Sequence, residues 1–177
     1  MLWQCPSDQP PTWYERCAPQ IMKVLLLESE TDIRLLLQFN LERDGIAVVE
    51  ASDPSRLPQL LAAEKPDVAL INIVMPPHGG LGVAYELRQM EATRDLPIVL
   101  LSSLTEVCER VRRLEIPDID CLQLPFDPAR VAPFLREFLA RAKARGTATP
   151  EQLRRLWAPR AGTRPPRAAE HPELPLG

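Results

Sequence analysis

Val68-Ala69-Leu70-Ile71-Asn72-Ile73-Val74-Met75-Pro76-Pro77-His78-Gly79-Gly80 decides the fold. An apolar run reaches the amide of Asn72, and a Pro/Gly-rich bend follows. A continuous apolar stretch of this length, bounded by turn residues, reads as a strand buried on both faces, as in a parallel sheet. In an open α/β sheet the ligand crevice lies beyond the carboxyl ends of the strands. Asn72 and the loop after it are therefore expected at that crevice.

The flanking sequence alternates in the same sense. Val24–Leu27 is an apolar strand. Ile33, Leu36, Leu37, Asn40 and Leu41 follow at helical spacing, opened by Ser29, Thr31 and Asp32 and stopped by Gly45. Ile46–Val49 is a second strand, and Ser52-Asp53-Pro54 opens a short helix to about Glu64. Beyond the central strand, Leu81, Ala84, Tyr85 and Leu87 are spaced for a helix. Ile98–Leu101 is a strand, and Leu104, Val107, Val111 and Leu114 form the face of the next helix. Asp120–Leu124 is a weaker strand. Asp127-Pro128 caps a last helix bearing Val131, Phe134, Leu135, Phe138 and Leu139. Pro133 inside that pattern predicts either a kink or a later helix start. Five strand–helix repeats imply right-handed crossovers and a parallel sheet covered on both sides.

Length and composition bound the function. The 177 residues suit one domain with appendages, and 45% hydrophobic with 25% charged residues is ordinary for a globular chain. A net charge of −3 argues against a general nucleic-acid or membrane-surface binder. The first 20 residues lack the apolar core of a secretory signal, and no run is long enough to span a bilayer, so a cytoplasmic location is expected. Cys5, Cys17, Cys108 and Cys121 form no CxxC pair and have no histidine at ligand spacing. That argues against zinc and leaves reduced thiols as the expectation.

Of the 20 prolines, four fall in residues 1–20 and six in 146–177. Residues 1–21 read as a flexible arm in which Trp3, Trp13 and Tyr14 are incidental, 22–145 as the domain, and 146–177 as a Pro/Arg-rich tail. Met22 is a candidate start of translation. Within the tail, Thr149-Pro150-Glu151-Gln152 fits a capping box with proline at the first helical position, predicting a short helix over 150–157. Its Leu153, Leu156 and Trp157 either pack back on the domain or dock into a partner. The tail arginines read as a solvated segment rather than a DNA contact.

Val24 to Arg34, Pro66-Asp67 with the strand ending Asn72-Ile73-Val74-Met75-Pro76, Ile98 to Ser102, and Leu124-Pro125-Phe126 together resemble the receiver domain of two-component response regulators, over residues 22–144. The resemblance implies a flavodoxin-like (βα)5 three-layer sandwich with a five-stranded parallel sheet of order 2-1-3-4-5. It also implies a role in signal transduction or phosphorelay without enzymatic activity.

In that family an acidic pair after the first strand holds Mg²⁺, and an aspartate ending the third strand accepts a phosphoryl group. A Ser or Thr after the fourth strand and a Lys after the fifth bind the phosphate. Here Glu28 keeps one acidic place and Ser29 replaces the other. Asn72 stands in the acceptor place, Ser102 in the hydroxyl place and Leu124 in the lysine place. Cys121 takes the place of the aromatic switch residue. The resemblance thus implies a degenerate pocket of Glu28, Ser29, Asn72, Ser102 and Leu124, with Mg²⁺ binding weak or absent. The expectation is therefore a stand-alone pseudo-receiver acting by protein–protein contact. Its expected partner is a signalling protein or a second copy, engaged through the fourth helix, fifth strand and fifth helix.

Two other readings stand beside it: a phosphorelay receiver with a non-standard acceptor, and a flavodoxin-like small-molecule binder or enzyme. The residues also admit plainer roles. Asn72 is equally an end-of-strand amide, Glu28 and Glu30 helix-start carboxylates, Ser102 a cap, and His78 an exposed loop residue.

Overall fold

Three strands carry four consecutive apolar residues each that are fully buried and two do not, and that difference orders the sheet. The computed structural model describes residues 21–76 and 79–156, apart from the side chains of Pro150, Leu153 and Arg154. Its parallel sheet runs β2-β1-β3-β4-β5, with β1 Lys23–Leu27, β2 Ala47–Ala51, β3 Val68–Asn72, β4 Ile98–Ser102 and β5 Ile119–Gln123. Val24–Leu27, Val68–Ile71 and Ile98–Leu101 are wholly inaccessible to solvent and occupy the centre. β2 and β5 carry Glu50, Asp120 and Gln123 and take the edges, where one side meets water.

Alternate residues face opposite layers. Leu25, Leu27, Ala69, Ile71, Ile98 and Leu100 meet α2 (Leu57–Glu64), α3 (Gly80–Gln89) and α4 (Thr105–Leu114). Val24, Leu26, Val68, Leu70, Val99 and Leu101 meet α1 (Thr31–Arg43) and α5 (Val131–Arg145). Each fully buried aliphatic side chain contributes about 1.5–3 kcal/mol, so these two sets hold the three layers together.

Helix starts and faces differ from expectation in detail. α1 opens at Thr31 with Asp32 in its first turn, as expected, but its N-cap is Glu30 and no side chain caps it. Leu37, Asn40 and Leu41 form its buried face, whereas Leu36 is 46% exposed beside exposed Leu35 and Phe39. Asn40 is tolerated inside because its Nδ2 donates to Leu36 O at 2.8 Å. On α4 the buried face is Cys108 and Val111, with Leu104 left 40% exposed. Asp127 caps a 3-10 turn, Pro128–Arg130, and α5 starts at Val131. Pro133 therefore falls in the first turn, where its missing N–H removes no intrahelical bond, and the later start is the outcome.

A further helix, α6 (Pro150–Leu156), packs back on the domain against α3 and α4. The capping box forms reciprocally: Gln152 N donates to Thr149 Oγ1 at 3.3 Å and Thr149 N to Gln152 Oε1 at 2.8 Å. Ala148 and Leu156 are buried in the same cluster as α3 and α4. Thr149→Ala should cost about 0.5–2 kcal/mol of helix stability. The measurement is amide exchange over 150–156, which should quicken while that of β3 stays unchanged. The expectations on Trp3, Trp13, Tyr14, His78 and Trp157 lie outside the described residues.

One expectation is overturned. Cys108 and Cys121 are joined as a disulfide, with Cα atoms 5.1 Å apart. They are 13 residues apart in sequence, and only the packing of α4 on β5 makes them neighbours. No local spacing pattern announces such a pair.

Candidate functional site

The carboxyl edge of the sheet is built by register. Leu27 pairs with Ile71, which sets Glu28 beside Asn72, and Asn72 pairs with Leu101, which sets Ser102 one step beyond. Ser102 pairs with Gln123, and Leu124 N donates to Ser102 O at 2.8 Å. Glu28, Asn72, Ser102 and Leu124 therefore follow one another across the edge. Glu28 and Ser102 are fully buried, Asn72 is 5% exposed, and Ser29 and Leu124 are half-buried.

Glu28 and Asn72 form the polar centre. Asn72 Nδ2 donates to Glu28 Oε2 at 2.8 Å, and Glu30 N donates to Glu28 Oε1 at 2.9 Å. Asn72 Oδ1 accepts from Val74 N at 2.9 Å, an Asx turn that starts the loop after β3. Both carboxylate oxygens and both ends of the amide are thus engaged inside the protein. Ser102 Oγ accepts from Leu104 N at 2.9 Å and donates to Leu104 O at 3.3 Å. It shapes the turn into α4 instead of joining the Glu28–Asn72 pair. The Leu124–Pro125 peptide is cis.

Two features escaped the sequence reading. Arg34 reaches back from α1: its Nη1 donates to Glu28 O at 3.0 Å and Ser29 O at 3.4 Å, and its Nε pairs with Glu50 Oε2 at 3.1 Å. Its position one turn into a helix that follows an acidic strand end is the only signal for this. Gly80 lies directly beneath the site. A Cβ there would overlap Asn72 O and lie 2.8 Å from the Asn72 carbonyl carbon and 2.9 Å from Ile71 Cγ2. Only glycine lets α3 start this close to β3.

A magnesium ion prefers several hard, anionic oxygens in octahedral array. The residues present do not fit one. Glu28 is the sole carboxylate in the pair and both its oxygens are committed. Ser29 and Asn72 add neutral groups only, and Asn72 turns its donor end toward the carboxylate. Among the described residues no group of three or more His, Cys, Asp or Glu is placed to hold a metal.

Fold and edge together define a doubly wound parallel α/β domain of the flavodoxin-like kind, with its buried polar residues at the carboxyl ends of β1, β3 and β4. A sequence model of the response regulator receiver domain matches residues 24–136, and the chain belongs to that family of signalling domains.

Similar curated proteins include the probable transcriptional regulator ycf27 of Guillardia theta, 36% identical over 119 residues, which are 67% of this chain and 46% of that protein. The alkaline phosphatase synthesis transcriptional regulatory protein PhoP of Bacillus subtilis is 33% identical over 121 residues, 68% of this chain and 50% of that protein. The chain spans about half the length of the curated relatives it matches. Among solved structures, a response regulator from Chloroflexus aurantiacus superposes with a TM-score of 0.61 at 22% identity, covering 69% of this chain and 100% of its own. The chemotaxis response regulator CheY4 of Vibrio cholerae gives 0.58 at 22%, covering 67% and 98%. Those two likenesses carry the fold. Among the described residues no helix is long and apolar enough to cross a membrane.

Proposed function

We propose that this receiver domain is a pseudo-receiver, acting in signal transduction by contact with another protein and not by accepting a phosphoryl group on residue 72. The observation that carries this reading is the 2.8 Å bond from Asn72 Nδ2 to Glu28 Oε2. In the acceptor place a neutral amide donates to the one remaining carboxylate, where phosphoryl acceptance needs an anionic oxygen nucleophile. Glu28, Ser29, Asn72, Ser102 and Leu124 are then the remnant of the pocket. Leu124 offers no cation to offset charge on a transferring group, and magnesium binding is weak or absent.

With Asn72 neutral and both Glu28 oxygens already bonded, a lysine here would find no free carboxylate, and leucine avoids that cost. The proposed contact face is α4, β5 and α5. Glu106, Glu109, Arg112 and Arg113 on α4 and Arg136, Glu137 and Arg141 on α5 are exposed there with both signs interspersed. Such a surface gives specificity more than raw affinity.

The test is incubation with a small acyl phosphate and Mg²⁺, read by intact mass. The wild type should gain no phosphate. Asn72→Asp should be less stable at neutral pH by at least about 1.5–3 kcal/mol, because it loses a hydrogen bond to a charged group and sets two carboxylates together. Millimolar Mg²⁺ should return part of that loss in a urea titration. A labile phosphate on the wild-type chain would overturn the proposal in favour of a working relay receiver.

A further inference from the structure

From the placement of Cys108 and Cys121 we infer that this pair is a thiol–disulfide modification site whose state controls the seating of residues 146–156 on the domain. Cys108 lies in α4 and Cys121 at the middle of β5, both within 2% of full burial, and their Cα separation of 5.1 Å suits a disulfide. Of the two elements this bond joins, α4 packs directly against α6, and the residue just before β5 anchors the start of the strap over 146–156. Arg110, two residues after Cys108, donates from Nη1 to Leu156 O at 3.4 Å. Asp118, three residues before Cys121, accepts from Ala148 N at 2.8 Å through Oδ1. Ala148, Leu156, Cys108 and Cys121 belong to one apolar cluster.

The disulfide fixes α4 against β5 and so preserves the surface on which α6 lies. Conversely, no reagent reaches the buried sulfurs until α4 or α6 lifts. The two events are linked, and linkage is reciprocal.

The chemistry is ordinary exchange. A dithiol reductant supplies a thiolate that attacks one sulfur, the Cys108–Cys121 bond breaks, and a mixed disulfide forms. The second thiol of the reductant resolves it, leaving two protein thiols and an oxidised, cyclic reductant. The reverse reaction consumes a low-molecular-weight disulfide such as glutathione disulfide and releases two glutathione thiols. In a compartment held reducing by such thiols, a disulfide of this kind is transient and signals the redox state.

The experiment uses the full chain equilibrated with glutathione disulfide or with dithiothreitol. Peptide mapping locates the bond, and amide exchange is followed over 105–114 and 148–156. Oxidation should produce the Cys108–Cys121 linkage, and reduction should accelerate exchange in 148–156 by about 5- to 150-fold, the usual range of coupling between two sites.

Cys108→Ser should exchange at the reduced rate under both conditions. In the reciprocal arm, Thr149→Ala, which weakens α6 without touching the cysteines, should speed reduction of the disulfide by dithiothreitol. The inference is overturned if glutathione disulfide never forms the linkage. It is equally overturned if the linkage forms and exchange over 148–156 is the same in both states, the result expected of a mere staple.

Discussion

Arg88→Met is expected to lower the unfolding free energy by about 3–5 kcal/mol, because it leaves a buried carboxylate without its counter-charge. Arg88 in α3 and Asp118 before β5 pair at 2.7 Å with side chains 1% and 3% exposed. Arg88 Nη1 also donates to Leu96 O at 2.6 Å, and Asp118 Oδ1 takes the Ala148 N–H at 2.8 Å. Burial pushes the Asp118 carboxyl above the ordinary carboxylate range and the Arg88 guanidinium below its own, while each charge opposes the other's shift.

Removing Arg88 removes that opposition and raises the Asp118 carboxyl further. A carboxyl raised by folding favours the native state below its ordinary range and costs stability as pH climbs through the raised value. The urea midpoint of Arg88→Met should therefore fall from pH 4 towards neutrality, a steeper fall than in the wild type. Arg88→Met/Asp118→Leu should recover most of the loss. The remainder is about 1–3 kcal/mol from the Ala148 N–H, which then has no acceptor. A double variant no better than the single would show that the pair is not the source.

Gly80→Ala should be the second most damaging change, at or above the upper end of the roughly 1–3 kcal/mol typical of overpacking. The added methyl meets the Asn72 carbonyl and the Ile71 side chain, and a backbone cannot step aside as a flexible side chain does. Either α3 moves off the sheet or the end of β3 bends, and both displace Asn72 from Glu28. Denaturant titration reads the stability. A shift of the Asn72 side-chain amide resonances, with those of Asn40 unmoved, would place the effect at the site. A near-neutral result would mean that the start of α3 is looser than its contacts indicate.

Much of this was legible because it is local. Val24–Leu27, Val68–Ile71 and Ile98–Leu101 are buried on both faces, and a strand of that kind is apolar at every position. Thr149 to Gln152 carries its cap within four residues, so α6 could be read from its own letters. The receiver likeness likewise rests on strand ends and the residues just beyond them.

Asn72 and Glu28 could be named from sequence, but their bond could not, since it depends on β1 and β3 pairing in register. The face of α1 was misjudged at Leu36 because four adjacent or near-adjacent apolar residues leave the helical phase ambiguous. Arg88 and Asp118 each look like ordinary surface charges in sequence, and only α3, β5 and the returning strap together exclude water from them.

The chain alone therefore determined the layered α/β class, the central strands, the capped terminal helix and the uncharged residues Asn72 at the end of β3 and Leu124 just after β5. Those are properties of residue type and short spacing. The tertiary structure alone decided that Glu28 is consumed by Asn72, that Arg34 closes over the strand end, that Arg88 finds Asp118, and that Cys108 meets Cys121. Each of those contacts joins elements distant along the chain, and no periodicity within one element specifies which side chains its neighbours will present.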